Sequence, residues 1–264
     1  MSPKYYEITM IGLFAAYGIM LPLWLIVQTN KLALNRDFFV SVLRMSLQLL
    51  AVGYILKYIF KISIWYVVVG VILAMIFFGA RTVIDRTGLK FKGLGLLLFL
   101  SMLAGAGAVI AFVAILVIRI EPWYEPRYII PLAGMIIGNS MNGCALALER
   151  FYNSVKEQHG LVETLVALGA TSREATCKML RASFRASMLP TLSNMSGMGI
   201  VFLPGMMTGQ ILSGMEPLAA IRYQLVIMLA ILGSVAFASY LILILEQRRF
   251  FDEYHLLRSE IFNQ

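Results

Sequence analysis

The chain has 264 residues, of which 60% are hydrophobic and 14% charged, and its mean hydropathy is +0.82. Soluble domains are usually about half apolar and about a quarter charged, so a soluble globular domain is excluded and a single integral membrane domain over residues 1–264 is predicted. The net charge of +8 would suggest nucleic acid in a soluble protein, but the basic residues cluster in short connections between apolar stretches. The positive-inside rule explains that clustering better, and we predict no nucleic-acid partner.

Several stretches are long enough to cross a bilayer, which takes roughly 17–25 apolar helical residues. In chain order they are Ile8–Gln28, Phe38–Phe60, Ile64–Ala80, Leu94–Ile118, Tyr128–Leu148, Leu189–Leu212 and Tyr223–Glu246. Pro and Gly in the sixth stretch predict a kinked or broken helix there. The fold class is therefore all-α, a polytopic membrane protein with about seven transmembrane helices.

The orientation follows from the basic residues. The connections at 29–37, 81–93 and 149–187, with the C-terminal tail at 247–264, carry fifteen Lys and Arg, whereas the N-terminus and the other connections carry six. Because cytoplasmic connections hold the excess of Lys and Arg, the N-terminus is predicted outside and the C-terminus in the cytoplasm. An alternative with six spans fits the charges less well and remains open.

Polar side chains inside the predicted spans are candidates for a translocation path. Arg44 and Gln48 lie one turn apart in the second span, where a charge costs about 2.5–3.5 kcal/mol and must face protein or water. Arg44 either lines a path or only snorkels and bonds backbone. The candidate path comprises Arg44, Gln48, Asn139, Asn142, Glu149 and Asn194.

In the fifth span, Asn139 and Asn142 share one helix face, and Glu149 follows at its inner end. Amide and carboxylate oxygens suit a hydrated metal cation. Gly134 and Gly138 form a G-x-x-x-G pair that lets helices approach closely, and packing alone also explains these glycines.

The long connection at 149–187 predicts a helix, a tight turn and a second helix. Gly169 interrupts the two helical runs, and Thr171 or Ser172 can cap the second, with Glu174 in its first turn. The second helix is amphipathic, with an apolar stripe and a basic stripe. The apolar stripe is Cys177, Leu180, Phe184 and Met188, and the basic stripe is Lys178, Arg181 and Arg185. Such a pair can simply rest on anionic lipid.

The letters E-T-L-V-A-L-G-A-T, from Glu163 to Thr171, resemble the cytoplasmic coupling motif of ABC transporter permeases. The spacing from Glu163 to Gly169 matches that motif, and a Leu-Pro follows at residues 189–190, later than the general pattern places it. The resemblance implies that this helix pair contacts an ATPase subunit. The residues that it assigns to coupling are Glu163, Leu168, Gly169, Ala170 and Thr171.

Longer strings resemble the FetB family of iron-export permeases, which also includes plant permeases linked to aluminium tolerance. They are Ser41–Phe60, Pro131–Met141, Leu203–Gly214 and Pro217–Gln224. The resemblance implies the membrane subunit of an ABC transporter that exports iron or a related metal cation. It also implies a homodimer of permeases, a separate ABC-type ATPase, and the inner (plasma) membrane of a bacterium or archaeon.

No G-x-x-x-x-G-K-[ST] phosphate-binding loop occurs in the sequence, so ATP is expected to act through the partner subunit and the chain is predicted not to be an enzyme. We predict no catalytic, cofactor or metal site within it, and membrane lipid as a further partner. The alternative is an ATP-independent channel or secondary carrier whose amphipathic loop rests on lipid. A proton-coupled carrier is disfavoured because no acidic residue lies in the middle of a predicted span.

Overall fold

The computed structural model describes residues 9–30, 35–89, 91 and 93–252. Most of the predicted C-terminal tail lies outside these residues, as do five of the basic residues that set the predicted orientation: Lys4, Lys31, Lys90, Lys92 and Arg258. The chain forms two compact units, Met1–Ile62 and Ser63–Gln264. The prediction of one permease domain over residues 1–264 stays a prediction.

The first unit contains three helices. They are α1 (Met10–Tyr17), α2 (Met20–Thr29) and α3 (Asn35–Ile62). Thr9 caps α1 by accepting a hydrogen bond from the Gly12 backbone at 3.2 Å. The hydroxyl groups of Tyr17 and Ser46 lie 2.6 Å apart and join α1 to α3. The outer surfaces of these helices are apolar, as expected for helices whose solvent is lipid.

The second unit contains the remaining helices. They are α4 (Trp65–Thr87), α5 (Leu94–Met102), α6 (Ala108–Phe112), α7 (Pro126–Glu157), α8 (His159–Ala167), α9 (Ser172–Gly197), α10 (Gly205–Leu212) and α11 (Pro217–Arg249). Two π-helical segments, Leu103–Gly107 and Val113–Ile118, continue α5 and α6. Together they complete the predicted fourth span. Among the described residues, the only extended pairing is an isolated bridge between Met198 and Phe202.

Helix α7 forms the centre of the second unit and packs against α4, α9 and α11. Its close contact with α11 lies at Gly143, where a Cβ atom would stand 2.7 Å from Val235. One turn earlier the Ser140 hydroxyl donates to Ser234 at 2.9 Å. Of the predicted G-x-x-x-G pair, Gly134 lies close to α4, where a Cβ would stand 3.3 Å from Met75, whereas a Cβ at Gly138 would meet no described atom within 4 Å.

Within the described residues, six helical segments are long and apolar enough to cross a membrane. They are Met10–Thr29, Phe39–Ile62, Trp65–Thr87, Leu94–Ile118, Pro126–Glu157 and Pro217–Arg249. The predicted sixth stretch, Leu189–Leu212, does not form one continuous helix and is not among these six segments. It is broken, as its Pro and Gly residues predict, because α9 ends at Gly197 and α10 begins at Gly205.

Helix α9 runs antiparallel to α11 along most of its length. Near the start of α9, the Gln247 amide donates to the Thr176 hydroxyl at 2.6 Å, and at its end Gln224 reaches the Met198 sulfur at 4.0 Å. With 26 residues, α9 is about 39 Å long. One straight helix therefore connects the predicted turn at Gly169 with the packed centre of the unit.

Candidate functional site

The predicted helix, turn and second helix are present between α7 and the bundle part of α9. Helix α8 ends at Ala167, and Gly169 takes a left-handed conformation with φ +94°. The Gly169 amide donates to the Val166 carbonyl at 2.9 Å, and the Ala170 amide donates to Leu165 at 3.0 Å. These two bonds satisfy carbonyl groups at the end of α8, as in other glycine-terminated helices.

Thr171 begins the next helix through a capping box with Glu174. The Thr171 hydroxyl accepts from the Glu174 amide at 3.3 Å, and the Glu174 carboxylate accepts from the Thr171 amide at 2.8 Å and from its hydroxyl at 2.7 Å. Hydrogen bonds from the side chain and then the backbone of Thr171 lower the pKa of the exposed Glu174 carboxyl. Of the two predicted caps, Thr171 is the one used.

The inner side of this helix pair is anchored by a small apolar cluster. Val162 of α8 is fully buried and packs with Phe151 of α7 and Met179 of α9. Phe250 and Phe251, which follow α11, complete the cluster from the other side. The turn is thus attached to three long helices rather than hanging as a free loop.

The outer side of the turn presents the residues that the coupling motif singled out. Leu168 is 80% exposed at the tip of the turn. Glu163, Gly169 and Thr171 are also exposed, and Ala170 is half-buried. His159 approaches Glu163 at 3.5 Å along the exposed side of α8. A large apolar side chain in this setting is a suitable anchor for a protein groove.

The buried face of α9 differs from the predicted apolar stripe. Thr176, Ser183 and Ser187 are buried, whereas Cys177, Leu180 and Phe184 are half-buried. The serine hydroxyl groups bond carbonyls of their own helix, and small side chains let helices approach closely in membrane bundles. Cys177, Leu180 and Phe184 of the predicted stripe line a cavity beside α11, and Leu180 and Phe184 also pack against the apolar cluster at the turn.

Asn139 and Asn142, two of the candidate path residues, make separate hydrogen bonds within the second unit. The Asn142 amide oxygen accepts from Arg86 of α4 at 2.9 Å, and the Asn139 amide group donates to the Met135 carbonyl at 2.8 Å. Glu149 on α7 and Asn194 on α9 are exposed. A guanidinium beside Asn142 repels a cation at that oxygen.

Arg44 and Gln48 lie in the first unit, on an exposed face of α3. With Ser41 they border a shallow groove of about 270 Å³. Across the described residues, no three His, Cys, Asp or Glu side chains come together as a group that could hold a metal ion.

Residues 10–251 match the family described as the uncharacterised protein family UPF0014. The chain belongs to this family. It is 36% identical over 214 residues to a UPF0014 membrane protein of Synechocystis, which covers 81% of this chain and 83% of that one.

Two further relatives carry more specific names. The chain is 34% identical over 233 residues to the probable iron export permease protein FetB of Escherichia coli, covering 88% of each chain. It is 32% identical over 259 residues to the protein ALUMINUM SENSITIVE 3 of Arabidopsis thaliana, covering 94% of this chain and 90% of that one. No solved structure matches the chain significantly. The resemblance to the FetB family is thereby confirmed, and the chain is a multi-pass integral membrane protein of that family.

Proposed function

We propose that this chain is the membrane subunit of an ABC transporter, and that α8, the turn and the start of α9 dock on a separate ATPase subunit. The observation that carries the proposal is Leu168, an apolar side chain 80% exposed at the tip of a turn with a fixed backbone. Leu168 would enter a groove of the ATPase, with Glu163 and Thr171 at the polar rim. Buried apolar anchors inside a polar rim are the usual source of affinity at protein interfaces.

The rigidity of the element supports a coupling role. A permease must respond when its ATPase opens and closes, and a contact transmits that motion only if it moves as one body. The hydrogen bonds around Gly169 and Thr171 fix the turn, and Val162 fixes it to the bundle. Because α9 continues from the turn alongside α11, a displacement at Leu168 would reach the bundle through a single helix.

The alternative function, an ATP-independent channel or carrier, would leave this helix pair to rest on lipid. A surface helix of that kind keeps its apolar face free for the acyl chains. In α8 the inward side chains Val162, Leu165 and Val166 pack within the protein instead. The outward side carries Glu163 and Thr164 beside the exposed Leu161 and Leu168, and this mixture suits a protein groove with a polar rim better than lipid.

The proposed cargo is iron or a related metal cation, exported with energy from the ATPase. The name of the Escherichia coli relative supports iron, and the name of the Arabidopsis relative leaves room for another metal. Along the proposed path, Asn139 has an amide oxygen without a hydrogen-bond partner among the described residues. Arg86 would have to release Asn142 before a cation could bind both amides.

The proposed assembly is a homodimer of permeases with two ATPase subunits, inserted with the N-terminus outside. Cysteine labelling from outside tests this orientation. A cysteine placed beside Trp123 should react with an impermeant maleimide, and one placed beside His159 should react only after the membrane is opened. Equal labelling of the two sites in sealed cells would contradict the orientation.

Reconstitution tests the function itself. Proteoliposomes with the permease and its candidate ATPase should move Fe²⁺ only when Mg-ATP is present on the ATPase side. Liposomes with the permease alone should be inactive. Fe²⁺ movement at the same rate without the ATPase would identify an ATP-independent carrier instead.

The path needs its own test, because Asn139 and Asn142 could serve only as bridges within the bundle. The double change Asn139→Ala and Asn142→Ala should abolish ATP-dependent Fe²⁺ movement while the thermal unfolding midpoint hardly changes. Interhelical hydrogen bonds contribute about 0.6 kcal/mol on average, so a small shift is expected in any case. Preserved transport per folded molecule with a large loss of stability would show a structural role.

A further inference from the structure

A cavity of about 580 Å³ lies between α9 and α11 in the second unit. Its wall combines three arginines with apolar and aromatic side chains. The arginines are Arg173 and Arg181 of α9 and Arg248 of α11, and the apolar wall includes Phe184, Tyr240 and Ile244. The proposed coupling role does not use these groups.

The positive charge of this cavity is not neutralised within the described part of the chain. Arg173, Arg181 and Arg248 form no ion pair with any described residue, and no acidic side chain lines the cavity. The neighbouring carboxylates are engaged elsewhere. Glu246 pairs with Arg249 at 3.4 Å, and Glu174 turns back onto its own helix cap. Three guanidinium groups around one space make it a site for an anion.

The charge and the apolar wall are arranged along one axis. The bond between Gln247 and Thr176 sets the register of the two antiparallel helices, so Arg173 and Arg248 lie at the same end of the cavity. At the other end the rings of Phe184 and Tyr240 meet edge to face, with centroids 5.9 Å apart. The cavity is therefore basic where α11 leaves its apolar stretch and apolar toward the middle of that helix.

We propose that this cavity binds an anionic phospholipid from the leaflet on the side of the coupling turn. The arginines hold the phosphate and the polar headgroup, and an acyl chain lies along Phe184, Tyr240 and Ile244. The polarity of the cavity matches that of a lipid seated in its own leaflet, with the charge at the interface and the apolar part inward. Basic pockets between transmembrane helices are known to suit anionic headgroups.

Lipid is favoured over a soluble anion because of the apolar end of the cavity. A small phosphate would need only the arginines and would leave the aromatic end empty. An amphipathic anion uses both ends, with charge-assisted hydrogen bonds at one and apolar burial at the other. The proposal concerns lipid binding alone and stands whether or not the chain couples to an ATPase.

Lipid titration of the purified full-length chain in a neutral detergent tests the site. Bound lipid is counted by native mass spectrometry, and the thermal unfolding midpoint is recorded in parallel. The wild-type chain should bind phosphatidylglycerol at least about tenfold more tightly than phosphatidylcholine, because both lipids offer a phosphate but the choline cation of phosphatidylcholine is repelled by the arginines. If the wild-type chain binds both lipids equally tightly, the proposal is wrong, whatever the variants show.

Matched charge variants locate the site. The double change R173Q/R181Q should reduce phosphatidylglycerol binding to the level of phosphatidylcholine. The control K178Q/R185Q removes the same charge from α9 at two positions that do not line the cavity, and it should leave the preference intact. Equal losses in both variants would mean that lipid binds to general surface charge, and the proposed site would be wrong.

Two further arms separate lipid from a soluble anion. Ile244→Trp fills the apolar end without changing charge, so it should weaken phosphatidylglycerol binding about as much as R173Q/R181Q does. Glycerol 3-phosphate, which has a similar phosphate group and no acyl chain, should neither raise the unfolding midpoint nor displace the lipid at millimolar concentration. Stabilisation by glycerol 3-phosphate equal to that by the lipid would assign the cavity to a soluble anion instead.

Discussion

The two ends of α9 use the same backbone conformation in different chemical settings. A turn with a left-handed glycine lies at each end of α9. The first turn, before the helix, contains Gly169 with φ +94°, and the second turn, after the helix, contains Gly199 with φ +82°. At the first turn, Leu168 is exposed among polar and charged neighbours. At the second turn the exposed side chains are apolar, with Ile200 89% and Val201 79% exposed.

The hydrogen bonds of the two turns also indicate a polar setting for the first and an apolar setting for the second. Side chains cap the first turn through Thr171 and Glu174, whereas backbone groups alone close the second, where the Gly199 amide donates to Phe202 at 2.9 Å. Side-chain caps suit a turn in water, where they compete with solvent. Apolar side chains around a backbone-closed turn suit a lipid or protein neighbour, so one helix connects two environments.

Substitution of the glycines should give the largest difference between the two turns. Valine is strained at either glycine, because a β-branched side chain rarely adopts such φ values, and each change should cost about 1–3 kcal/mol. Gly169→Val should also abolish stimulation of the partner ATPase, since it displaces Leu168. Gly199→Val should leave binding of the ATPase intact. Pull-down and ATPase rates of the reconstituted complex provide the measurement.

Gly160→Ala is the matched control for the glycine series, because it lies in α8 and a Cβ there meets nothing within 4 Å. It should leave ATPase stimulation unchanged. Intact binding and stimulation in Gly169→Val would remove the first turn from the coupling interface. Loss of ATPase binding in Gly199→Val would show that the two turns do not have separate roles.

A new charge should distinguish the two environments more directly. Ile200→Asp should lower the yield of folded, membrane-inserted protein, since Asp costs up to about 2.5–3.5 kcal/mol at the centre of a bilayer and less near its surface. Leu168→Asp should leave that yield unchanged but weaken ATPase binding, and Leu168→Met should retain it. Fluorescence-detected size exclusion measures the yield. Equal yields for both Asp variants would place the second turn in water.

Removal of a cap should have a smaller effect and should be confined to the first turn. Thr171→Ala removes the hydroxyl group that accepts from the Glu174 amide, so the chain should lose about 1 kcal/mol of stability. Ser196→Ala is the control at the other end of α9, where the hydroxyl only donates to the Leu192 carbonyl within the helix. Thermal unfolding measures the stability of the two variants. Equal losses of stability would mean that the capping box contributes no more than an ordinary hydroxyl group within a helix.

The pH response should be the smallest difference. Because the pKa of Glu174 is lowered in the folded chain, its contribution to stability is present above the ordinary pKa of the carboxyl and is lost as the pH falls through the lowered value. Residues 198–204 of the second turn include no titratable side chain. The protection factor of the first turn, which is the observed exchange rate corrected for the intrinsic effect of pH, should therefore fall in acid, and Thr171→Ala should remove most of that dependence. An unchanged dependence in Thr171→Ala would assign it to another group.

The first turn could be predicted from the sequence because the residues that form it are close together in the chain. Gly169, Thr171 and Glu174 act through the backbone within a few residues, so their spacing predicted the left-handed turn and the cap. The break in the predicted span at 189–212 was also foreseen from Pro and Gly. Pro190 itself lies inside α9, and the break comes later, at the glycines that follow Met195.

The packing faces were not readable in the same way. Hydrophobicity identified Cys177, Leu180 and Phe184 as an apolar stripe, but most of the fully buried positions of α9 carry small or polar side chains. In a bilayer the lipid is as apolar as leucine, so hydrophobicity does not determine which helix face is buried. Close packing of small residues determines it instead.

The environment of the candidate path also depended on tertiary structure. Asn139 and Asn142 share a helix side, as the sequence indicated, but the partner of Asn142 is Arg86, 56 residues earlier. Such a pairing has no signature in local spacing. Arg86 was counted only toward the charge asymmetry, and its contact with α7 needed the fold.

The hydrogen bonds of the first turn all join residues close in sequence. The longest reach is from Ala170 to Leu165, and the capping box joins Thr171 to Glu174. Contacts of such short range close quickly and need no distant part of the chain. The turn can therefore form while the ribosome is still making α9. Helix α11, which is made later, then packs against a turn that is already folded.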